Sequence, residues 1–222
     1  MIFVFLHIKI QIKLEFGQKI SKRDFFKQSL SGVCGVTFGL SSIKLLGRNM
    51  ENINLNSEDI EKGLWKWSRE AYHYMKLDGS VKCLVCPNSC NLKNGQESIC
   101  RNKINKNGKL YTIAYGNPCS VHIDPIEKKP LFHYYPGSKI YSIATAGCNF
   151  RCLNCQNWTI SQVSPKETEN VDLMPKEVVD SCISNNCTSI AYTYSEPIAF
   201  YEYVYDTAKI ARAKGIKNIF IM

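Results

Sequence analysis

The run Ala146-Gly147-Cys148-Asn149-Phe150-Arg151-Cys152-Leu153-Asn154-Cys155 sets three thiols into eight residues as C-x3-C-x2-C, directly after a strand-like stretch. That spacing puts all three on one loop at the end of a strand. Three thiolates can hold three irons of a cubane [4Fe–4S] cluster, whereas a ferredoxin-type cluster takes four cysteines. The remaining iron is then open to a substrate or a cofactor. The competing readings are a zinc site and buried free thiols. Structural zinc takes four protein ligands, and the nearest further cysteine, Cys182, falls in a predicted helix. The open cluster is the stronger reading.

A second set, Cys83-x2-Cys86-x3-Cys90-x9-Cys100, places four thiols around Pro87 and Gly95. Closed four-cysteine sites are structural zinc or an auxiliary Fe–S cluster, and spacing does not choose between them; packed free thiols are the bland alternative. The chain has 11 cysteines, an odd number, and the two sets account for all but Cys34, Cys119, Cys182 and Cys187. This is metal-ligand usage rather than a disulfide framework, and it implies reducing conditions during assembly. The four remaining cysteines read as buried free thiols, since cysteine packs as a small hydrophobe.

The net charge of +9 over 222 residues invites a nucleic-acid reading, but its distribution argues against one. Residues 1–50 carry Lys9, Lys13, Lys19, Lys22, Arg23, Lys27, Lys44 and Arg48 against Glu15 and Asp24, so most of the excess lies in a basic leader. No basic stripe marks the rest as a nucleic-acid binder. Within the leader, Ser21-Lys22-Arg23-Asp24-Phe25-Phe26-Lys27 resembles a twin-arginine export motif with Lys in the first basic position. The following run, Ser29 to Leu46, is too rich in Gly and Ser for a transmembrane helix. A frayed, disordered basic N-terminus is the alternative, and Met1–Ile20 has the character of a mistaken upstream start.

Residues 51–138 are expected to form a small cysteine-rich α+β module. Ile60, Leu64, Trp67, Ala71 and Met75 recur at helical spacing, which predicts a helix over 56–78. Asn107-Gly108 predicts a hairpin within 101–115. Residues 116–138, with Pro118, Pro125, Pro130 and Pro136, predict an irregular connector. From 139 the pattern turns to βαβα: a strand at 140–144, a helix opened by Pro175 and running to about Ser184, a strand at 189–194, a helix from Pro197 ended by Gly215, and a strand beginning at 219.

The stretches Asp124-Pro125-Ile126-Glu127-Lys128-Lys129-Pro130-Leu131-Phe132-His133, Tyr135-Pro136-Gly137-Ser138, Gly147-Cys148-Asn149-Phe150, Cys155-Gln156-Asn157-Trp158 and Ala191-Tyr192-Thr193-Tyr194-Ser195-Glu196-Pro197 occur in this order. Together they resemble the radical S-adenosylmethionine (SAM) superfamily, and within it the radical SAM enzyme of the AmmeMemoRadiSam system, which is pyruvate formate-lyase activating enzyme-like. The resemblance spans roughly residues 60–222. It implies an α/β fold in which residues 139–222 are the first part of a radical SAM (β/α) barrel; scaled from ordinary barrel units, this length gives a partial, truncated barrel.

The resemblance further implies that the open iron at Cys148, Cys152 and Cys155 chelates SAM. Reductive cleavage then gives a 5′-deoxyadenosyl radical that abstracts hydrogen from a substrate. Tyr194, Ser195 and Glu196 occupy the place of the superfamily's SAM-ammonium segment, with two glycines replaced by Tyr194 and Ser195. Asn154 stands where the superfamily has an aromatic against the adenine, and Phe150 or Trp158 could serve instead. Physical chemistry supports Glu196 independently, since a carboxylate at a strand's C-terminal edge faces the site mouth and attracts a cation; an ordinary helix-start Glu is the alternative.

Asp124, Glu127, Lys128, Lys129 and His133 are candidates for closing the site or docking a partner, whereas His73 and His122 read as surface or packing residues. A flavodoxin or ferredoxin reductant is implied. An activase-like enzyme would take a partner protein as substrate, and the competing class acts on a small molecule or nucleic acid. Supply of SAM and reductant favours the cytoplasm; the leader favours export. The contrasting class is a non-catalytic Fe–S electron-transfer or zinc-binding module, or an inactive fragment.

Overall fold

Asn107 and Gly108 take positive φ values of 52° and 75°, the pair of left-handed conformations that a two-residue type I′ hairpin requires. A computed structural model of the chain describes residues 64–222; the 1–50 leader, its twin-arginine-like run, Cys34 and the start of the expected 56–78 helix lie outside the described residues. The hairpin joins β5 (Lys103–Lys106) to β6 (Lys109–Thr112) with Lys106 opposite Lys109. β1 (Arg69–Glu70) pairs with the other edge of β6, giving the order β1-β6-β5. A second sheet has the order β2-β3-β4, from β2 (Tyr74–Leu77), β3 (Ser80–Cys83) and β4 (Asn91–Lys93). Ala71, Val81, Cys83, Leu92 and Leu110 pack together as a small core.

The described part of the expected 56–78 helix is β-structure instead. Its apolar stripe does not share a face, since Trp67 and Ala71 are buried while Met75 is half exposed. The Ala71 N–H donates to the Leu110 carbonyl at 2.8 Å, and Tyr74 to Leu77 pair residue by residue with β3. Trp65, Trp67, Tyr72 and Tyr74 suit a pleated surface, and cross-strand partners outweigh a helical period in the sequence. Among the described residues before 139, the helical content is one 3-10 turn, Ile126–Lys128, so this portion is β rather than α+β.

The third sheet has the order β10-β9-β8-β7. β8 (Lys139–Ala144), β9 (Ser189–Tyr192) and β10 (Lys217–Phe220) run parallel, whereas β7 (Ser120–Pro125) is antiparallel to β8 over six residue pairs. α2 (Pro175–Ser184) connects β8 to β9, following a short α1 (Trp158–Ser161). A 3-10 turn at Pro197–Phe200 leads into α3 (Tyr201–Ala213), which connects β9 to β10. Parallel strands need such crossovers and are covered by them: all four residues of β9 are buried. Val178, Val179 and Cys182 of α2 and Tyr203, Val204 and Ala211 of α3 close over Tyr141, Ile143, Ile190 and Tyr192. No helix among the described residues is long and apolar enough to cross a membrane.

β7 corrects the expectation of an irregular connector over 116–138. Val121 and Ile123 alternate with His122 and Asp124, the period-2 signature of a strand, but the surrounding prolines obscured it. Pro125 is tolerated because it closes an edge strand. The third sheet therefore begins ahead of the expected boundary at 139.

Two contacts lock the cysteine-rich sheets to this third sheet. Lys103 of β5 pairs with Glu202 of α3 at side-chain exposures of 1% and 0%. Gly147, just past β8, has φ +89°, and any Cβ there would overlap the Asn102 side chain and the Cys100 carbonyl. Removing one member of a buried ion pair strands the other charge, at about 3–5 kcal/mol, while replacing both with apolar groups is often neutral. Lys103→Met is therefore expected to lower the unfolding free energy in urea by about 3–5 kcal/mol, and Lys103→Met with Glu202→Leu to recover most of that loss.

Candidate functional site

β8 ends at Ala144, and Thr145-Ala146-Gly147 carry the chain under the cysteine-rich sheets into the C-x3-C-x2-C loop. The Gly147 N–H donates to the Ile160 carbonyl at 2.9 Å, drawing the loop back on itself around α1. Cys148 is buried at the floor; its Sγ accepts the Phe150 N–H at 3.4 Å and faces the Glu196 backbone amide, with the Cys155 thiol nearby. Burial pushes the Cys148 thiol above its ordinary value, against these two amides. Cys155 is half-buried, its Sγ 3.2 Å from Ser161 Oγ at the end of α1, and Cys152 is exposed at the tip. Phe150, Leu153 and Trp158 form an exposed apolar fringe around the loop.

The loop after β9 meets this one. Tyr194 leaves the strand at φ +64°, a left-handed conformation that costs a non-glycine residue about 1 kcal/mol, and its carbonyl accepts from Asn157 Nδ2 at 2.9 Å. Ser195 Oγ donates to the Thr145 carbonyl at 2.7 Å, tying the two loops directly. Glu196 is buried beside Cys148 and has no ion-pair partner among the described residues. Burial raises its carboxyl above the usual range, with the Ile198 amide opposing. A buried, unpaired carboxylate beside free thiols is a place for a cation.

Tyr194, Ser195 and Glu196 thus come together with Cys148 and Cys155. Asn154 does not join them: it is exposed on the loop and makes no hydrogen bond among the described residues. Cys83 and Cys100 are buried and Cys86 and Cys90 half-buried around one small cavity, which Asn149 also lines. Burial pushes the Cys83 thiol up to about 11. All ten cysteines among the described residues are free, but no three or more His, Cys, Asp or Glu side chains there are arranged to hold a metal as they stand. The donor set at 148–155 nevertheless fits a cluster: three reduced thiols share one loop, and amides point at the buried sulfur, a contact that tunes Fe–S thiolates. Metal ligation also requires these thiols to lose their protons.

Cys182 and Cys187 are buried free thiols as expected, whereas Cys119 is only half-buried and lines an open cleft of about 290 Å³ with His122, Lys128, Asn157, Thr159 and Tyr194. His73 and His122 are both exposed, and so is His133. Asn157 is the residue that sequence reasoning missed; it lies within the Cys155-Gln156-Asn157-Trp158 run, but nothing in that run says it holds the Tyr194 carbonyl.

Among the connector residues, Asp124 is the anchor. Its buried carboxylate accepts from Lys128 and Lys129 at 2.8 Å each, from Ser142 Oγ at 2.8 Å and from the Tyr194 hydroxyl at 2.7 Å. Lys129 also lies over the Tyr194 ring at 4.3 Å. Glu127 instead accepts the Gly137 N–H at 2.6 Å, closing the Tyr135–Ser138 turn. Burial pushes the Asp124 carboxyl up, but the hydrogen bonds from Lys128, Lys129, Tyr194 and Ser142 outweigh it and hold the group well below the usual carboxylate range.

Between the cysteine sets, buried polar atoms lack partners: Arg101 Nη1, both amide atoms of Asn102, Asn149 Oδ1 and Thr145 Oγ1.

No family model matches the chain, and no solved structure matches it. An uncharacterized protein of Methanocaldococcus jannaschii is 52% identical over 154 residues, which cover 69% of this chain and 46% of the relative. The chain thus spans less than half the length of that protein.

Because the folded-state ionisation of Asp124 lies below the unfolded value of about 3.9, its stabilisation is complete above that value and is lost as pH falls through the folded one. Asp124→Asn is expected to cost about 3 kcal/mol at neutral pH by stranding Lys129. Urea unfolding of the wild type should weaken between about pH 5 and pH 2 more steeply than unfolding of the variant.

Proposed function

We propose that this chain carries the cluster and SAM sites of a radical SAM enzyme, with a [4Fe–4S] cluster on Cys148, Cys152 and Cys155 and SAM received by Tyr194, Ser195 and Glu196. The observation that carries this reading is the meeting of Cys148 with Glu196, from loops at the C-terminal ends of adjacent parallel strands. Ligand sites of α/β sheets lie outside those strand ends. Bound there, the cluster would supply the single electron that cleaves SAM to methionine and a 5′-deoxyadenosyl radical for hydrogen abstraction.

The chain's own residues bind, orient and shield. Glu196 offers a carboxylate, already desolvated, to the SAM ammonium. Ser195 and Thr145 hold the two loops in register, and Asn157 fixes the backbone carbonyl of Tyr194. The exposed rings of Phe150 and Trp158, on the fringe of the loop that carries Asn154, offer the adenine apolar faces. The reductant is a flavodoxin or ferredoxin, and the substrate of an activase-like enzyme is a partner protein.

Anaerobic reconstitution with iron and sulfide should give about four irons per chain, and SAM should shift the EPR spectrum of the reduced protein. Cys152→Ala should lose iron and 5′-deoxyadenosine formation, whereas Cys182→Ala should keep both. Glu196→Gln should weaken SAM binding by about 1.5–3 kcal/mol, the worth of a hydrogen bond to a charged group, or roughly 10- to 150-fold. A folded protein without iron, or one whose spectrum ignores SAM, would sink the proposal. An intact reduced cluster that never yields deoxyadenosine would transfer the assignment to electron transfer.

A further inference from the structure

We propose that Cys83, Cys86, Cys90 and Cys100 close around a single zinc ion, and that this ion braces the Cys148–Cys155 loop from beneath. The assignment stands whether or not the chain cleaves SAM.

The backbone brings the four cysteines to one cavity. The Cys83 N–H donates to the Cys90 carbonyl at 2.9 Å and the Ser89 N–H to the Cys86 carbonyl at 3.1 Å, with Ser89 in a left-handed conformation at φ 45°. The chain thereby doubles back and turns three thiols toward one space. Cys100 reaches the same space from the turn before β5, its Sγ 3.0 Å from Ser98 Oγ. The Val85 amide faces Cys83 Sγ, a contact that favours a thiolate.

The cavity between the four thiols has a volume of about 10 Å³, and a volume of that order holds about one water-sized body. A closed set of four thiolates suits a tetrahedral zinc ion with Zn–S bonds of about 2.3 Å once the thiols turn inward.

The same site touches the loop above it. Asn149, next to Cys148, lines the cavity, and its carbonyl accepts from Asn88 Nδ2 of the knuckle at 3.0 Å. The Cys100 carbonyl lies against Gly147. An ion that fixes Cys86, Cys90 and Cys100 therefore fixes the surface on which the Gly147–Asn149 backbone rests.

The test uses the full protein purified under argon without added iron, alongside a Cys148/Cys152/Cys155→Ala variant that removes the other thiol set. Metal and acid-labile sulfide analysis should give about one zinc per chain in both proteins, as a closed four-cysteine site requires, and no sulfide in the variant. Cobalt(II) in place of zinc should show the intense visible bands of a tetrahedral tetrathiolate. Cys86→Ser should lower zinc affinity at least tenfold; should that variant not fold, the cobalt spectrum of the Cys148/Cys152/Cys155→Ala variant decides. Chelation of the zinc should speed amide hydrogen exchange at residues 147–150. Iron with sulfide in the triple variant, or folded protein free of metal, would overturn the zinc site. Unchanged exchange at 147–150 after zinc removal would overturn the brace.

Discussion

Lys103 and Glu202 meet where neither reaches water, and the rest of the arrangement follows from that pairing. The effective penalty for burying one such ion is several kcal/mol, so β5 can take its place only if α3 brings the opposite charge. The residues just before Lys103 are carried along with it: Asn102 and Cys100 are thereby set against Gly147. Around this pair, Asp206 of α3 takes Arg69 at 2.9 Å and the hydroxyls of Tyr72 and Tyr115 at 2.7 Å each. One helix face thus receives β1, β5 and the segment after β6. Exposed pairs such as Lys176–Asp180 add little by comparison.

Tyr194 plays the matching part on the other side of the site. Its hydroxyl is held by Asp124 and its carbonyl by Asn157, so one residue spans β7 and the loop that carries Cys155. Asp124 is fully engaged, with four donors on two oxygens, and this is what lets a carboxylate remain ionised in a buried place. The cleft beside it is therefore bordered by groups whose positions are fixed before any ligand arrives.

How much could be read from the sequence depended on the range of the signal. The Asn107-Gly108 hairpin, the start of α2 at Pro175, the turn into α3 at Pro197 and the strand before the cysteine loop are each written in a few neighbouring residues, and each stands where those residues indicate. The segment at 64–78 misled because its helical period masked a local hairpin, β2 to β3 across Asp78-Gly79, and because the partner of Ala71, Leu110, is distant in sequence. β7 was legible in Val121 and Ile123 but lay among prolines. The site divides in the same way. The cysteine spacings announce themselves, whereas Asn157 to Tyr194 and Ser195 to Thr145 join positions 37 and 50 residues apart. No spacing rule encodes either, nor the close approach that reserves position 147 for glycine.

The Lys103–Glu202 contact spans 99 residues, and this has a consequence for the order of events in folding. Closing so long a loop costs chain entropy that only the completed interface returns. The hairpin and the cysteine knuckle rest on local contacts, whereas the docking of β5 onto α3 requires that α3 exist. On a ribosome the interval between the two is the time needed to synthesise the intervening chain, at about 5–20 residues per second. Through it the four thiols of the knuckle stand on a nascent surface with no third sheet behind them. Early capture of a metal would shield them from oxidation before the second cysteine loop has been made.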